Sequence, residues 1–134
     1  MANYSAHKIG AFGEKQCAKY LKRKMKLKII GKNVTIGRLE ADIIATNKDY
    51  IIFVEVKTRS KDKHNEHRPG DAVDKAKRTN LINFANAYCS SLPKKLKGRT
   101  PRIDVCEIWV TSSVHLKVAE LHYIENAVSR ERPN

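Results

Sequence analysis

The sequence predicts an α/β fold, a central mixed β-sheet flanked by α-helices. Three observations carry this expectation. Short apolar runs of strand character occur at Leu39 to Thr46, at Ile51 to Val54 and at Ile103 to Thr111. An apolar face at helical spacing runs from Leu81 to Leu92. The two kinds of element alternate along the chain, in the order helix, three strands, helix, two strands, which suits helices packed around a mixed sheet. The 134 residues fit one domain with a modest core.

The first element, from about Ser5 to Lys24, reads as a helix because Ile9, Phe12, Cys17, Tyr20 and Leu21 fall near one face. Gly10 and Gly13 oppose it, each costing on the order of 1 kcal/mol against Ala inside a helix. They mark either close packing or a helix start. The densely basic stretch from Lys22 to Lys28 is expected as a solvated face and turn. A short strand follows from Leu27 to Asn33, then a break at Gly37 and a second strand, LEADIIAT, from Leu39. The polar turn Asn47-Lys48-Asp49 joins it to IIFVEVKTRS, Ile51 to Ser60, so the two form a hairpin. The polar loop RSKDKHNEHRPG closes at Pro69-Gly70, and Asp71 is placed to cap the next helix. That helix buries Leu81, Phe84, Ala85, Tyr88, Cys89 and Leu92. A basic loop, PKKLKGRTPR, leads into the strand Ile103 to Thr111, and a last strand, about Leu116 to Tyr123, precedes a short terminal helix.

Lys and Arg outnumber Asp and Glu by 27 to 14, a net charge of +13. An excess of this size favours an anionic partner, nucleic acid first. The amino-terminal MANYSAHKIGAFGEK lacks the apolar core of a signal peptide, and no run reaches transmembrane length, so a cytoplasmic protein with no membrane partner is expected. Cys17, Cys89 and Cys106 are odd in number and widely spaced, which suits reduced thiols rather than a disulfide frame or a zinc site. His64 and His67 form H-x-x-H in the polar loop, with no further ligand type nearby, and read as solvated.

The stretch Phe53-Val54-Glu55-Val56-Lys57 sets a physical problem, because burying charge is expensive unless it is paired or coordinated. Alternation puts Phe53, Glu55 and Lys57 on one face, with Glu55 and Lys57 roughly 6–7 Å apart at the backbone. Glu40, Asp42 and Ile44 share a face on the preceding strand. An even-numbered turn would bring position 42 opposite 55 and position 40 opposite 57. Like charges so placed repel, and a divalent metal is the natural counterweight: Mg²⁺ takes carboxylate oxygens, backbone carbonyls and water. Such a site beside a lysine suits phosphodiester hydrolysis, where a metal polarises the phosphate and an ammonium stabilises the charge that builds up or orients the attacking water. The bland alternative is a pair of half-exposed salt bridges, Glu40–Lys57 and Glu55–Arg59, and an odd-numbered turn would break the site. Spacing alone does not decide between them.

At these residues the chain resembles the PD-(D/E)XK motif of the restriction-endonuclease-like superfamily. More closely, it resembles the YraN family of small uncharacterised bacterial proteins, relatives of archaeal Holliday-junction resolvases. Gly10-x-x-Gly13-Glu14-x-x-x-Ala18-x-x-Leu21 is similar to that family's opening helix, Lys32-Asn33 to the next strand, and Glu40-Ala41-Asp42-Ile43-Ile44 to its GEIDLI segment. Phe53-Val54-Glu55-Val56-Lys57-x-Arg59 matches its most recognisable stretch. Val73, Lys77 and Leu81 fit the second helix, and Arg102-Ile103-Asp104-Val105 the following strand. Leu39 stands where the family usually has Gly, and Ala41 where it has Ile; neither change removes a ligand. The resemblance implies a restriction-endonuclease-like fold in which Asp42 and Glu55 bind Mg²⁺ or Mn²⁺ with help from the Val56 carbonyl. It implies that Lys57 completes the catalytic set, that Glu14 reaches the same site from its helix, and that Glu40 supports Lys57.

Arg59, Lys61, Lys63 and Arg68 lie beside this site in sequence, and Lys75, Lys77 and Arg78 open the second helix. These are the expected nucleic-acid contacts, sequence-blind and salt-sensitive. Lys94, Lys95, Lys97, Arg99 and Arg102 form a second basic cluster. Trp109 reads as core, and Asp104 and Glu107 as structural ion pairs. The leading expectation is therefore a metal-dependent endonuclease acting on nucleic acid, DNA before RNA, with branched substrates in view. A homodimer would serve symmetric cutting of two strands. The competing expectations are a nucleic-acid-binding module with little or no cleavage, and an adaptor on RNA-rich complexes that keeps the carboxylates as a remnant.

Overall fold

Ser5 starts the first helix by turning its side chain back on the backbone: Oγ accepts a hydrogen bond from the Lys8 N–H at 3.1 Å. The structure is a computed structural model that describes residues 4–61, 75–112 and 114–127. Helix α1 (Ala6–Arg23) ends with Lys22 and Arg23 in its last turn, where cations favour the helix dipole. Its buried residues, Gly13, Cys17, Ala18 and Leu21, make one stripe. Lys26, with φ at 58°, turns the chain into strand β1 (Lys28–Ile36), which runs three residues past the expected Asn33.

Strand β2 (Leu39–Thr46) follows a two-residue turn whose first residue, Gly37, has φ at 61°, the conformation that glycine adopts without strain. The next turn is held by Asn47, whose Oδ1 accepts from the N–H groups of Asp49 and Tyr50, both at 2.8 Å. It delivers strand β3 (Tyr50–Ser60), whose residues Ile51, Ile52, Phe53 and Val54 are all buried, as expected for a strand covered on both faces. Helix α2 (Lys75–Cys89) makes the crossover that a parallel pair needs, and strand β4 (Thr100–Thr111) runs parallel to β3. A 3₁₀ turn, Lys94–Leu96, interrupts the basic loop between them. Strand β5 (Lys117–Ile124) returns antiparallel to β4.

The five strands form one mixed sheet in the order β1-β2-β3-β4-β5. Helix α1 covers one face, packing Cys17, Ala18 and Leu21 on Ile43, Ile52, Val54, Cys106 and Ile108. Helix α2 covers the other, packing Leu81, Phe84 and Ala85 on Ala41, Ile44, Ile51 and Phe53. Phe53 meets Phe84 and Tyr88 edge-on, at 5.8 and 5.5 Å between ring centres. The α/β order expected from the sequence is thus present. Asp71 and the loop around it lie outside the described residues, as does any terminal helix beyond the turn at 125–127. Among the described residues, no helix is long and apolar enough to cross a membrane.

Candidate functional site

The register of the β2–β3 hairpin decides which charges meet. Thr46 pairs with Ile51 and Ile43 with Val54, so the turn is even-numbered, and just past the last pair Asp42 and Glu55 come to the edge of one cleft, whereas Glu40 makes no ion pair with Lys57 there. The backbone ladder ends at Ile43 and Val54. One residue further, the Asp42 carboxylate replaces a ladder bond: its Oδ2 accepts from the Val56 N–H at 2.8 Å. This bond fixes the carboxylate between the two strands.

Alternation along β3 sends Glu55 and Lys57 to the α2 face. There Glu55 Oε1 takes two ammonium groups, Lys77 Nζ at 3.2 Å from α2 and Lys57 Nζ at 3.9 Å from its own strand. Burial, then repulsion by Glu55, pushes the Asp42 carboxyl up to about 7, although the Val56 N–H pulls it down; Glu14 and Glu40 add to the rise. Burial also lowers Lys57, and the adjacent Lys77 lowers it further. For Lys77, burial is outweighed by the bonds to Lys57 and Glu55, so its ammonium is held above the ordinary lysine range.

The carboxylates and Lys77 border an open cleft of about 220 Å³, with Arg38, Leu39, Glu40, Asn80 and Leu81 on its walls. Sequence reasoning passed over Arg38 and Asn80. Asn80 follows Lys77 by three positions and so shares its helical face, a signal that a helical wheel contains. Glu40 is exposed and lines this cleft, while the ion pair of Lys57 goes to Glu55. Glu14 acts electrostatically on Asp42 but lines a separate cleft of about 640 Å³ with His7, Lys15 and Lys32. Among the described residues, no group of three or more His, Cys, Asp and Glu side chains is arranged to hold a metal. The available donors are the Asp42 and Glu55 carboxylates, with the Val56 carbonyl next after Glu55 in sequence. Two mutually repelling carboxylates fit Mg²⁺ or Mn²⁺ in chemistry and number, since Mg²⁺ sites use one or two carboxylates and fill the rest with water and phosphate.

The other expected contacts divide. Arg59 pairs with Glu107 at 3.5 Å and lies over Trp109; Lys61 pairs with Glu120. Lys63, Arg68, His64 and His67 lie outside the described residues, as do the side chains of Lys75 and Arg78. Trp109 is buried and Asp104 pairs with Arg102 at 2.9 Å, both as the sequence led us to expect. In the second basic cluster, Arg99 donates to Thr46 Oγ1 at 2.8 Å and Arg102 stacks over Tyr50.

Comparison with known proteins adds a family. The model of the uncharacterised protein family UPF0102 matches residues 13–108, a span that holds Glu14, Asp42, Glu55, Lys57, Lys77 and Glu107. A UPF0102 protein of Caldanaerobacter subterraneus subsp. tengcongensis is 36% identical over 119 residues, covering 89% of this chain and 93% of the relative. One from Clostridium acetobutylicum is 38% identical over 120 residues, 90% of this chain and 93% of its own. One from Clostridioides difficile is 40% identical over 101 residues, 75% and 84% of the two chains.

Proposed function

Because the chain belongs to the uncharacterised protein family UPF0102, whose name assigns no activity, we propose from the site itself that it is a metal-dependent endonuclease of restriction-endonuclease-like fold. The reading takes nucleic acid as the substrate, DNA before RNA, and Mg²⁺ or Mn²⁺ as the metal. One observation carries it: Asp42, held by the Val56 N–H, and Glu55 line the same open cleft and repel each other, with Lys57 and Lys77 both on Glu55. A sheet that needed only to be stable would not bring two mutually repelling carboxylates to one cleft. The mixed sheet between two helices and the net charge of +13 support the same reading.

Asp42 and Glu55 would hold the ion, which when bound supplies positive charge to a phosphate oxygen and acidifies water. The Val56 N–H orients Asp42, so the carboxylate is set before any ligand arrives. Lys57, lowered by burial and by Lys77, gives up its proton more readily than an ordinary lysine and is placed to hold the attacking water. Lys77 stays charged and faces the negative charge that grows on the phosphate.

The test is cleavage at low salt with Mg²⁺ or Mn²⁺ on linear, nicked, flapped and four-way DNA, with RNA alongside. Wild type is expected to cut and Asp42→Ala to lose activity by at least a hundredfold, roughly what loss of one preorganised electrostatic element removes. Equal cutting by both proteins would assign the activity to a contaminant. Salt-dependent binding with no turnover would replace this reading with that of a binding module, which the two lysines already seated on Glu55 also suit.

A further inference from the structure

Beyond Lys57, the α2 face of β3 continues to Arg59, and there it meets an arrangement that the carboxylate pair does not require. Glu107 lies on β4 directly beside Lys57 in the parallel register and has no solvent exposure. Its Oε2 is 3.5 Å from Arg59 Nε, in ion-pair rather than hydrogen-bond geometry. Its Oε1 accepts from Trp109 Nε1 at 3.0 Å. Trp109 is in turn the register neighbour of Arg59, whose guanidinium carbon lies 5.9 Å from the centre of the ring.

A buried ion pair is a poor means of stabilising a fold, because desolvating both charges offsets most of their attraction and a well-packed apolar pair does as well or better. What Glu107 and Trp109 do provide is position. They hold Arg59 from two sides while its side chain keeps 16% of its surface in solvent. An arginine so fixed loses less freedom when its planar fork meets a phosphate. Lys57 and Arg59 share one face about 7 Å apart along the strand, roughly one phosphate-to-phosphate step of an extended nucleic-acid strand.

We propose that Arg59 binds the backbone phosphate next to the reacting one, and that Glu107 and Trp109 are positioning residues that hold it there. The proposal rests on the reading of this site as one that takes nucleic acid, and it adds where one expected contact falls and which residues hold it.

Trp109 is the chain's single tryptophan and therefore a built-in reporter. Titration with a short single-stranded DNA at several salt concentrations should change its emission. Arg59→Ala should weaken binding about tenfold and flatten the salt dependence by about one phosphate contact. Arg59→Lys should restore the salt dependence but only part of the affinity. Glu107→Gln keeps an acceptor for Trp109 and loses the charge; it should weaken binding about threefold, with thermal melts showing that the protein remains folded. Unchanged affinity and salt dependence in Arg59→Ala would overturn the contact. A Glu107→Gln protein that melts lower yet binds as wild type would overturn the positioning role. Should Glu107→Gln fail to fold, the two Arg59 variants carry the test alone. Wild type that binds no nucleic acid would overturn both this proposal and the function on which it rests.

Discussion

Asp42 carries the most informative single perturbation in the molecule. Its carboxyl is raised from 3.8 to about 7, first by burial and then by Glu55, so the folded state binds a proton that the unfolded chain releases near pH 4. The sign follows from linkage: the penalty for ionising Asp42 is absent below about pH 4, grows as pH rises toward 7, and is complete above it. Screening by water at the open side of the cleft limits its size to about 1–2 kcal/mol. Asp42→Asn keeps an acceptor for the Val56 N–H and removes the repulsion. In metal-free buffer its melting temperature should therefore exceed that of wild type at pH 8 and match it at pH 4, as scanning calorimetry would show. Saturating Mn²⁺ should raise wild type but not the variant. Alternation and an even-numbered turn would bring Asp42, Glu55 and Lys57 together, but spacing left the parity of the turn open, and the family resemblance singled them out. Lys77 was legible only as a cation. Its bond to Glu55 spans 22 residues and depends on where α2 lands, which no local periodicity encodes.

Helix α1 shows what close approach between elements requires. Gly13 faces β3, and a Cβ there would stand 1.8 Å from Thr58 Oγ1 and 2.8 Å from Thr58 Cβ. Rotating the threonine relieves the first contact but not the second, so the helix itself would have to move. Gly13→Ala gains about 1 kcal/mol of helix propensity against about 1–3 kcal/mol of overpacking. Urea unfolding should show a net loss of about 1–2 kcal/mol, partly recovered by Thr58→Ala, which removes the nearest atom. The sequence offered two readings for Gly10 and Gly13, close packing or a helix start. Packing holds at Gly13 alone, since a Cβ at Gly10 would meet nothing within 4 Å. The elements themselves were readable from periodicity to within a few residues. Strand β1 was cut short because its exposed residues, Lys32 and Asn33 among them, hide the pairing that carries it on to Ile36. Edge strands lack the two-sided apolar run that made β3 plain.

Across the whole molecule, the mixed sheet was legible from the order of elements, since a long helical segment between two apolar strands implies a parallel crossover. Which faces the helices cover was not, because both helices carry apolar stripes and only the closed fold sorts them. The same topology sets an order of assembly. The β2–β3 pairs join residues at most 11 apart in sequence, Ile43 with Val54, whereas each β3–β4 pair joins residues 50 apart, as Tyr50 with Thr100. Closing the short loop loses less chain entropy, so the hairpin is expected to form before β4 docks. Substitution of Asn47, which holds the hairpin turn, should then slow refolding, while Ile103→Val on β4 should chiefly speed unfolding, as the two arms of a chevron plot would report. The two carboxylates are thus driven together early, while the ammonium of α2 and the guanidinium braced on β4 are still unplaced. For part of its folding the chain carries two carboxylates that only Lys57 offsets, and if the proposed metal binds there, a divalent cation present at that stage would speed the search for the native state rather than merely occupy its product.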